Sequence, residues 1–207
     1  MVYIGTCFDD IKNQNETGVD CDVCPPCNRC SLTTLPIRFD WRDYGVLPPV
    51  RDQVSCGSCW AFSAVSAVEG TYNIERKSPN AIDLSEQNLV SNCCPDISCW
   101  GEWPPSALNY IKSHGIVDEA CFPYQSQSCD GCRDFCTCDG TCSNPYSCDL
   151  CPDWSNRLTK IGEYGKIGSN IDEIKRALIC YGPLSVTSIG NMQSFWLATM
   201  TVKVFGL

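Results

Sequence analysis

The stretch QVSCGSCWAFSAV, residues 53–65, places two cysteines three positions apart, directly before a run whose apolar residues recur at helical spacing. Ser58 is a residue type that caps helix N-termini, so we predict a helix from about Cys59 to Arg76. Free backbone N–H groups and the helix dipole stabilise a thiolate at such a terminus. We therefore predict that Cys59 is a nucleophile and that Cys56, one turn earlier in the loop, is a disulfide partner. The alternative is that Cys59 is itself a bridged cysteine.

A side-chain amide lies close to this cysteine in the sequence. Gln53 precedes Cys59 by six residues, and Gly57 and Ser58 between the two cysteines let the loop bend tightly. The amide of Gln53 and the backbone N–H of Cys59 would together stabilise the negative charge that develops on a carbonyl oxygen under attack. The local pattern therefore indicates acyl-transfer chemistry at a thiol.

The composition restricts the classes of partner. The net charge of −9 argues against nucleic acid or an anionic membrane surface as the binding partner. No apolar run approaches the ~18 residues that a membrane span needs, so no span is predicted. With 43% hydrophobic and 19% charged residues, the chain can bury a core.

Cysteine is the unusual feature of the composition, at 19 of 207 residues. That density is rare in a reducing cytosol and common in secreted chains, so we expect an extracellular protein, with a lysosome- or vacuole-like compartment as the alternative. The sequon Asn15-Glu16-Thr17 is consistent with export. The first ten residues lack the features of a signal peptide, so an export signal is expected upstream. Because the count is odd, at least one thiol is unpaired if every other one is bridged.

Four segments are predicted along the chain. Residues 1–32 are expected to be a cysteine-rich disulfide module, with calcium binding as an alternative. Residues 33–127 are expected to be globular and to contain the nucleophile. Residues 128–152 form a second cysteine-rich block, and residues 153–207 are globular again.

Further elements can be placed from local signals. A second helix is predicted to start near Ser85, and a third to cover about Ser106–His114 and to stop at Gly115. Asn170 is expected to cap a helix in NIDEIKRALICYG, and PLSVTSI is expected to be a strand. The last residues, LATMTVKVFGL, have no clear partner in this scheme.

The segment from Gln53 to Trp60 resembles the active-site signature of the papain-like cysteine proteases. Four other stretches resemble segments of that family in the same order, and together they cover roughly residues 35–127 and 155–196. They are FDWRDYGVLPPVRDQ, LSEQNLVSNC, CWGEWPPSALNYIKSHGIVDEACFPY and ICYGPLSV.

The resemblance implies an α+β, papain-like fold with a helical left domain that is largely complete and a β-barrel-like right domain that is truncated. It implies a cysteine endopeptidase that acts on a peptide or protein substrate, without a cofactor and as a monomer. In this reading Cys59 is the nucleophile, Gln53 the oxyanion-hole donor, and Cys56 is bridged to Cys99. The residues expected to bind substrate are Gly57, Trp60, Gly101, Trp103 and Pro104, the last two lining an apolar pocket for the second substrate residue from the cleavage point.

The mechanism of the family also needs a histidine base and an asparagine that orients it. Such residues are expected about 130–150 positions after the cysteine, a window that opens near residue 189. The single histidine of the sequence is His114, which we expect to complement the dipole at a helix C-terminus. The chain is therefore expected to be a weak protease or an inactive one. The alternative function is a catalytically inactive secreted binding module derived from a protease.

Two hypotheses address the end of the sequence. If the codons for LATMTVKVFGL are read one nucleotide back, suitable synonymous codons give Ser-Tyr-Tyr-Asp-Gly-Glu-Gly-Val-Trp, which resembles a strand of the family. A frameshift near Leu197 is one explanation, and a truncated copy is the other. The coding DNA decides between them.

Two other departures from the family pattern are visible, and one further cysteine is given a structural role. Glu102 stands where the family usually has a second glycine, which puts ordinary substrate docking in doubt. Cys93 and Cys94 are adjacent, so either could form the usual bridge. Cys180 is expected to be a buried small apolar residue.

The second cysteine-rich block allows a metal-site reading. Its outer cysteines have the spacing of a four-cysteine zinc site, although three more cysteines lie between them. We favour disulfides, with zinc as the alternative. The four ligands of that alternative would be Cys129, Cys132, Cys148 and Cys151.

Overall fold

The computed structural model of the chain describes residues 34–78, 81–91, 99, 101–126, 150–188 and 197–203, with residues 187–188 and 197–203 described by their backbone alone. The predicted module at 1–32, most of the block at 128–152, and Cys93 and Cys94 lie outside the described residues.

The helix predicted behind Cys59 is present and forms the centre of the helical part of the molecule. This helix, α1, spans Cys59–Arg76 and ends at Lys77, whose φ of 49° is left-handed. Ser58 occupies the N-cap position, but its hydroxyl makes no capping bond and instead contacts Tyr124 Oη at 2.6 Å. The apolar residues at helical spacing in α1 include Ala61, Val65 and Val68, which are all fully buried, and Phe62 and Tyr72, which are half-buried.

Two shorter helices pack against α1. The helix α2 spans Glu86–Val90, and the hydroxyl of Ser85 accepts a bond from Asn88 N at 3.0 Å, as expected for a cap. The helix α3 spans Pro104–Ser113 and starts two residues earlier than predicted, because a proline at the first helical position is already set to a helical φ. The three helices share one apolar core, which includes Trp60, Ala64, Leu84, Leu89, Leu108 and Ile111.

A fourth helix and a small sheet form a second layer. The helix α4 spans Ile171–Tyr181 and is capped as predicted by Asn170, whose side chain accepts bonds from the backbone N–H groups of the first turn. The strands are β1 (Glu163–Ile167), β2 (Leu184–Ser188) and β3 (Leu197–Lys203). They pair antiparallel in the order β1-β3-β2. The described residues therefore combine helices with an antiparallel sheet, in agreement with the predicted α+β class.

The central strand of this sheet was not predicted. Residues 197–203 were expected to have no clear partner, yet Thr201 pairs with Gly165 of β1 and with Leu184 of β2. The β1 partner lies more than thirty residues away in the sequence, and no turn signal next to β3 points to it. Pairing of this kind depends on tertiary packing, which a local pattern does not reveal.

The second layer packs along α1. Gly70 of α1 lies so close to Pro183 that a Cβ atom at this glycine would be 2.5 Å from the proline Cγ. Trp41, in a short 3-10 helix at Trp41–Tyr44, donates its indole N–H to the carbonyl of Leu178 in α4 at 2.8 Å. Ser63 and Ser185 are joined by a hydroxyl–hydroxyl bond of 2.7 Å.

The disulfides correct two predictions. Cys121 is bridged to Cys151, so the zinc alternative is wrong for Cys151, since a bridged sulfur is not a thiolate ligand. The other three proposed zinc ligands, Cys129, Cys132 and Cys148, lie outside the described residues. Cys180 is buried as predicted, but it is disulfide-bonded and does not serve merely as a small apolar residue. In the part of the chain that the structure covers, no helix is both long and apolar enough to cross a membrane.

Candidate active site

Cys59 is the first residue of α1, and it is exposed and unbridged. Among the cysteines that the structure describes, it is the only free one, so the alternative that Cys59 is bridged is wrong. The first backbone N–H groups of a helix have no partner inside the helix, and they surround the position of this sulfur with positive partial charge. The site therefore offers an accessible thiol at the positive end of an 18-residue helix.

The loop before Cys59 is held by a bridge and by a close backbone approach. Cys56 is bonded to Cys99, as the resemblance implied, and the N–H of Gly57 donates to the carbonyl of Cys99 at 2.9 Å. A Cβ atom at position 57 would lie 2.5 Å from that carbonyl oxygen, so the approach requires glycine. Trp60 follows and is buried in the core at 2% exposure. These contacts fix where the N-terminus of α1 begins.

Gln53 and Cys59 line the same cavity, which has a volume of about 500 Å³. One N–H of the Gln53 amide donates to the carbonyl of Cys56 at 2.8 Å, which holds the side chain beside the loop. An amide nitrogen has two hydrogens, so a second donor remains. The other residues that line this cavity are Val50, Arg51, Asp52 and Phe62.

Tyr124 connects Gln53 with the start of α1. Its hydroxyl donates to the carbonyl of Gln53 at 2.9 Å and lies 2.6 Å from the hydroxyl of Ser58. Because the single phenolic proton is used towards Gln53, Ser58 is the donor in the second bond. The ring also packs edge-on against Phe62, with centroids 4.9 Å apart. The sequence analysis did not single out Tyr124, and only its place in the CFPY motif of the resemblance could have pointed to it.

Arg51 holds the segment before Gln53 against buried carboxylates. Its guanidinium donates to Glu86 at 2.7 Å and to Glu69 at 3.3 Å, and it also contacts Asp83. Glu69 and Glu86 are at most 1% exposed. Burial raises the pKa of each of these two carboxyl groups to about 7, because Arg51 compensates only part of the desolvation. Burial likewise raises the pKa of the neighbouring Glu119.

The residues predicted to bind the second substrate residue differ in exposure. Trp103 is 51% exposed, whereas Pro104 is buried at the first position of α3. Gly101 has a φ of 99° and open space where a side chain would be. The carboxylate of Glu102 accepts bonds from Trp103 N and Ser106 Oγ, both at 2.9 Å. These two bonds hold the Glu102 side chain against the start of α3.

His114 lies at the C-terminal end of α3, as predicted, and its ring stacks on Tyr110 with centroids 4.8 Å apart. It does not line the cavity beside Cys59. The structure therefore gives no reason to pair this imidazole with the thiol, in agreement with the sequence analysis.

The comparisons with known proteins give the family. A sequence model described as "Papain family cysteine protease" matches residues 35–203, well over half of the chain. The chain belongs to the papain family of cysteine proteases. Zingipain-1 of Zingiber officinale is 34% identical over 164 residues, which are 79% of this chain and 65% of that protein.

Solved structures of the family also match. Digestive procathepsin L2 from Tenebrio molitor larval midgut has a TM-score of 0.62 at 26% identity, over 83% of this chain and 54% of that one. The Carica candamarcensis protease CMS1MS2, solved in complex with E-64, has a TM-score of 0.53 at 31% identity, over 70% of this chain and 60% of that one. The fold prediction is thereby confirmed. The chain spans between 26% and 65% of the length of the curated relatives that we compared.

Proposed function

We propose that this chain supplies the nucleophile half of a cysteine endopeptidase site, in which Cys59 attacks the carbonyl carbon of a peptide bond. The observation that carries the proposal is that an exposed, unbridged thiol begins α1 and shares a cavity with the Gln53 amide. Membership of a protease family supports the same chemistry. The proposed substrate class is peptides and proteins, and no cofactor is needed.

The residues present account for the first half of the reaction. The thiolate of Cys59 adds to the carbonyl carbon, and the carbonyl oxygen becomes negatively charged. The backbone N–H of Cys59 and the second amide hydrogen of Gln53 are the donors proposed for this oxyanion. Expulsion of the amine leaves a thioester on Cys59, which water then hydrolyses.

Neither Cys59 nor Gln53 can act as the general acid or base that the reaction requires. The leaving amine must receive a proton, and a general acid–base group contributes roughly 10²–10⁴-fold to such a reaction. His114 is stacked on Tyr110 at the end of α3 and is not proposed for this role. We therefore expect the chain with the present sequence to react slowly at Cys59 and to turn over peptides poorly.

The substrate-binding roles of five residues remain part of this proposal. Gly101 is the best placed, because its backbone has open space around it. Gly57 and Trp60 act by shape, the first through its closeness to Cys99 and the second by packing in the core. Trp103 presents an exposed aromatic surface to an apolar substrate side chain, and the buried Pro104 supports it from the first turn of α3.

A second candidate function is favoured by the position of His114. A protease domain without its base would act as a secreted binding module, in which the cavity beside Cys59 holds a peptide without cleaving it. The two candidates differ in the reactivity of the thiol.

The test is the modification of Cys59 by E-64, the inhibitor bound to CMS1MS2, followed by intact mass under non-reducing conditions. We expect one adduct, absent in Cys59→Ser, that forms faster when imidazole is added at constant pH, because imidazolium can supply the proton that the opened epoxide needs. The Gln53→Ala variant is the control for the oxyanion donors and should lose about 10²-fold in acylation by an activated ester. A thiol that stays unreactive with imidazole present would favour the binding module.

We further propose that the protein is an exported monomer. The bridges Cys56–Cys99 and Cys121–Cys151 are the supporting observation, because such bonds persist in oxidising compartments. A secreted protein and a lysosome- or vacuole-like one both meet this condition, and fractionation of the source cells distinguishes them.

A further inference from the structure

Glu102 places a negative charge beside the segment proposed to bind substrate. It follows Gly101, whose backbone nitrogen lies 3.5 Å from the point that a Cβ atom at Gly57 would occupy. Gly57 in turn is two residues before Cys59. Residues 101–103 therefore begin against the loop that presents the nucleophile, and a peptide bound across Gly101 would lead to the thiol.

Among the described residues, only one of the two carboxylate oxygens of Glu102 has bonding partners. The Oε1 atom accepts the hydrogen bonds from Trp103 N and Ser106 Oγ, both at 2.9 Å. The Oε2 atom has no hydrogen-bond donor and no ion-pair partner in the described ranges, and it is accessible to solvent. A carboxylate has about four positions that accept hydrogen bonds. Glu102 is therefore held in place by the protein and still has an oxygen for a ligand.

An exposed indole lies next to this carboxylate. Trp103 is 51% exposed, and its backbone nitrogen is one of the two groups that bond the Glu102 carboxylate. A lysine or arginine side chain combines an apolar stem with a cation at its end. The stem can pack on the indole, whose face also attracts a cation, and the charged end can bond the carboxylate. A neutral apolar side chain would use the indole alone.

The charges around the site also favour a cationic substrate. Arg51, the basic residue that lines the cavity beside Cys59, is already bonded to the buried carboxylates of Glu69 and Glu86. The chain carries a net charge of −9, and such a charge favours the approach of a cationic peptide. Because two bonds already orient the carboxylate of Glu102, a substrate cation would order little when it binds there.

We propose that Glu102 determines specificity at this site by selecting substrates with an arginine or a lysine at the second residue from the cleavage point. The apolar stem of that residue packs on Trp103, and its cation bonds Oε2 of Glu102. This role rests on the proposed function, because it places the peptide across Gly101 with its reacting carbonyl at Cys59. It narrows the apolar pocket at Trp103 to side chains whose far end is positively charged.

The first test compares two activated peptide esters that differ only at the second residue from the reacting carbonyl. One carries arginine there, and the other carries citrulline, which has the same length and no charge. We expect the arginine ester to acylate wild-type Cys59 several-fold faster. In Glu102→Gln, whose side-chain oxygen can still accept the bonds from Trp103 and Ser106, the two rates should become equal. An unaltered citrulline rate in this variant shows that it is folded. Equal rates in the wild type, or a preference for arginine that survives in Glu102→Gln, would overturn the role of Glu102.

The matched control is Asp52→Asn, which removes one negative charge from the cavity beside Cys59 and leaves Glu102 in place. The ratio of the arginine rate to the citrulline rate should be the same in this variant as in the wild type. If Asp52→Asn lost the preference as fully as Glu102→Gln does, the general negative charge would select the cation, and the specific role of Glu102 would be refuted.

Peptide binding separates this role from the protease function. In Cys59→Ser, fluorescence anisotropy of labelled peptides should give a Kd several-fold lower for the arginine peptide than for its citrulline counterpart. Adding Glu102→Gln to this variant should remove the difference. If no ester acylates Cys59 but the binding preference is present, the protease function fails and the role of Glu102 stands. If the two esters acylate Cys59 equally fast and the two peptides bind equally well, the protease function stands and the role of Glu102 fails.

Discussion

The region around Cys59 and the region around α4 are built differently. The helix α1 buries eleven of its eighteen residues, and its N-terminus is fixed by a bridge and several hydrogen bonds. The helix α4 buries three of its eleven residues, and no residue of β1 is buried. Burial of apolar surface is the main favourable term in folding, so the helical region is the one able to hold a side chain in a fixed place. The proposed nucleophile begins the helix with the larger buried face.

The helical region also contains buried carboxylates, whereas the buried residues of α4 are Ala177, Ile179 and Cys180. Glu69 and Glu86 are buried beside one guanidinium, that of Arg51. Arg51 is two residues before Gln53. Its bonds to Glu69 of α1 and Glu86 of α2 therefore attach the loop that carries Gln53 to both helices. Removal of the Arg51 cation and titration of the two carboxylates both test whether this cluster stabilises the helical region.

The largest effect is expected for Arg51→Met, measured by urea denaturation at pH 8. Removing one partner of a buried ion pair leaves uncompensated buried charge and typically costs about 3–5 kcal/mol. The matched control is Arg38→Met, whose side chain is 73% exposed and whose partner Asp43 is 50% exposed, so its loss should be about 0–1 kcal/mol. Similar losses in the two variants would show that the Arg51 cluster does not stabilise the helical region.

The second effect is a dependence of stability on pH. Burial raises the pKa of Glu69 and the pKa of Glu86 from the ordinary value of 4.5 for a glutamate side chain to about 7. The folded protein therefore holds these protons more tightly than the unfolded chain does. The stabilisation is fully present below pH 4.5 and is lost as the pH rises to about 7, a change on the order of 3 kcal/mol for this cluster.

Unfolding midpoints at pH 5 and pH 8 measure this change. The Glu86→Gln variant keeps a neutral side chain of the same shape, so its midpoint should vary less with pH. The control is Glu163→Gln, whose carboxylate pairs with Lys112 in an exposed position and should leave the pH profile unaltered. A wild-type protein that is more stable at pH 8 than at pH 5 would refute the assignment, because the sign is set by the direction of the two shifts.

Helix positions in both regions were largely predictable from the sequence. The bounds of α1, the caps at Ser85 and Asn170 and the position of His114 follow from local rules, since periodicity and capping act within a few residues. The family resemblance supplied the pairing of Cys56 with Cys99, which spacing alone leaves open. What local rules missed is long-range: β3 in the centre of the sheet, and the bridge from Cys121 to Cys151.

Parts of the candidate site were hidden for a related reason. Gln53 and Cys59 were found because they lie in one short stretch. Tyr124 and Arg51 both hold the loop that carries Gln53, but no local sequence pattern predicts this. Tyr124 is about seventy residues away in the sequence. Arg51 lies among charged residues that are typical of a solvated surface. Ser58 was expected to cap α1, but the phenol of Tyr124 takes its hydroxyl, which is a tertiary effect that overrides a local preference.

The smallest effect is expected for Tyr124→Phe, and it separates positioning from mere stability. The variant loses the bonds to Gln53 and Ser58, which should cost about 0.5–1.5 kcal/mol. Acylation of Cys59 by an activated ester develops an oxyanion, whereas alkylation by iodoacetamide does not. If Tyr124 positions the Gln53 loop, acylation should slow several-fold while alkylation keeps its rate. The control is Tyr164→Phe, whose hydroxyl bonds Asn109 at an exposed site 2.7 Å away, and neither rate should change there. Equal slowing of both reactions in Tyr124→Phe would mean that the phenol only supports the start of α1. The Gln53 amide would then be positioned relative to the Cys59 N–H only by its bond to the Cys56 carbonyl.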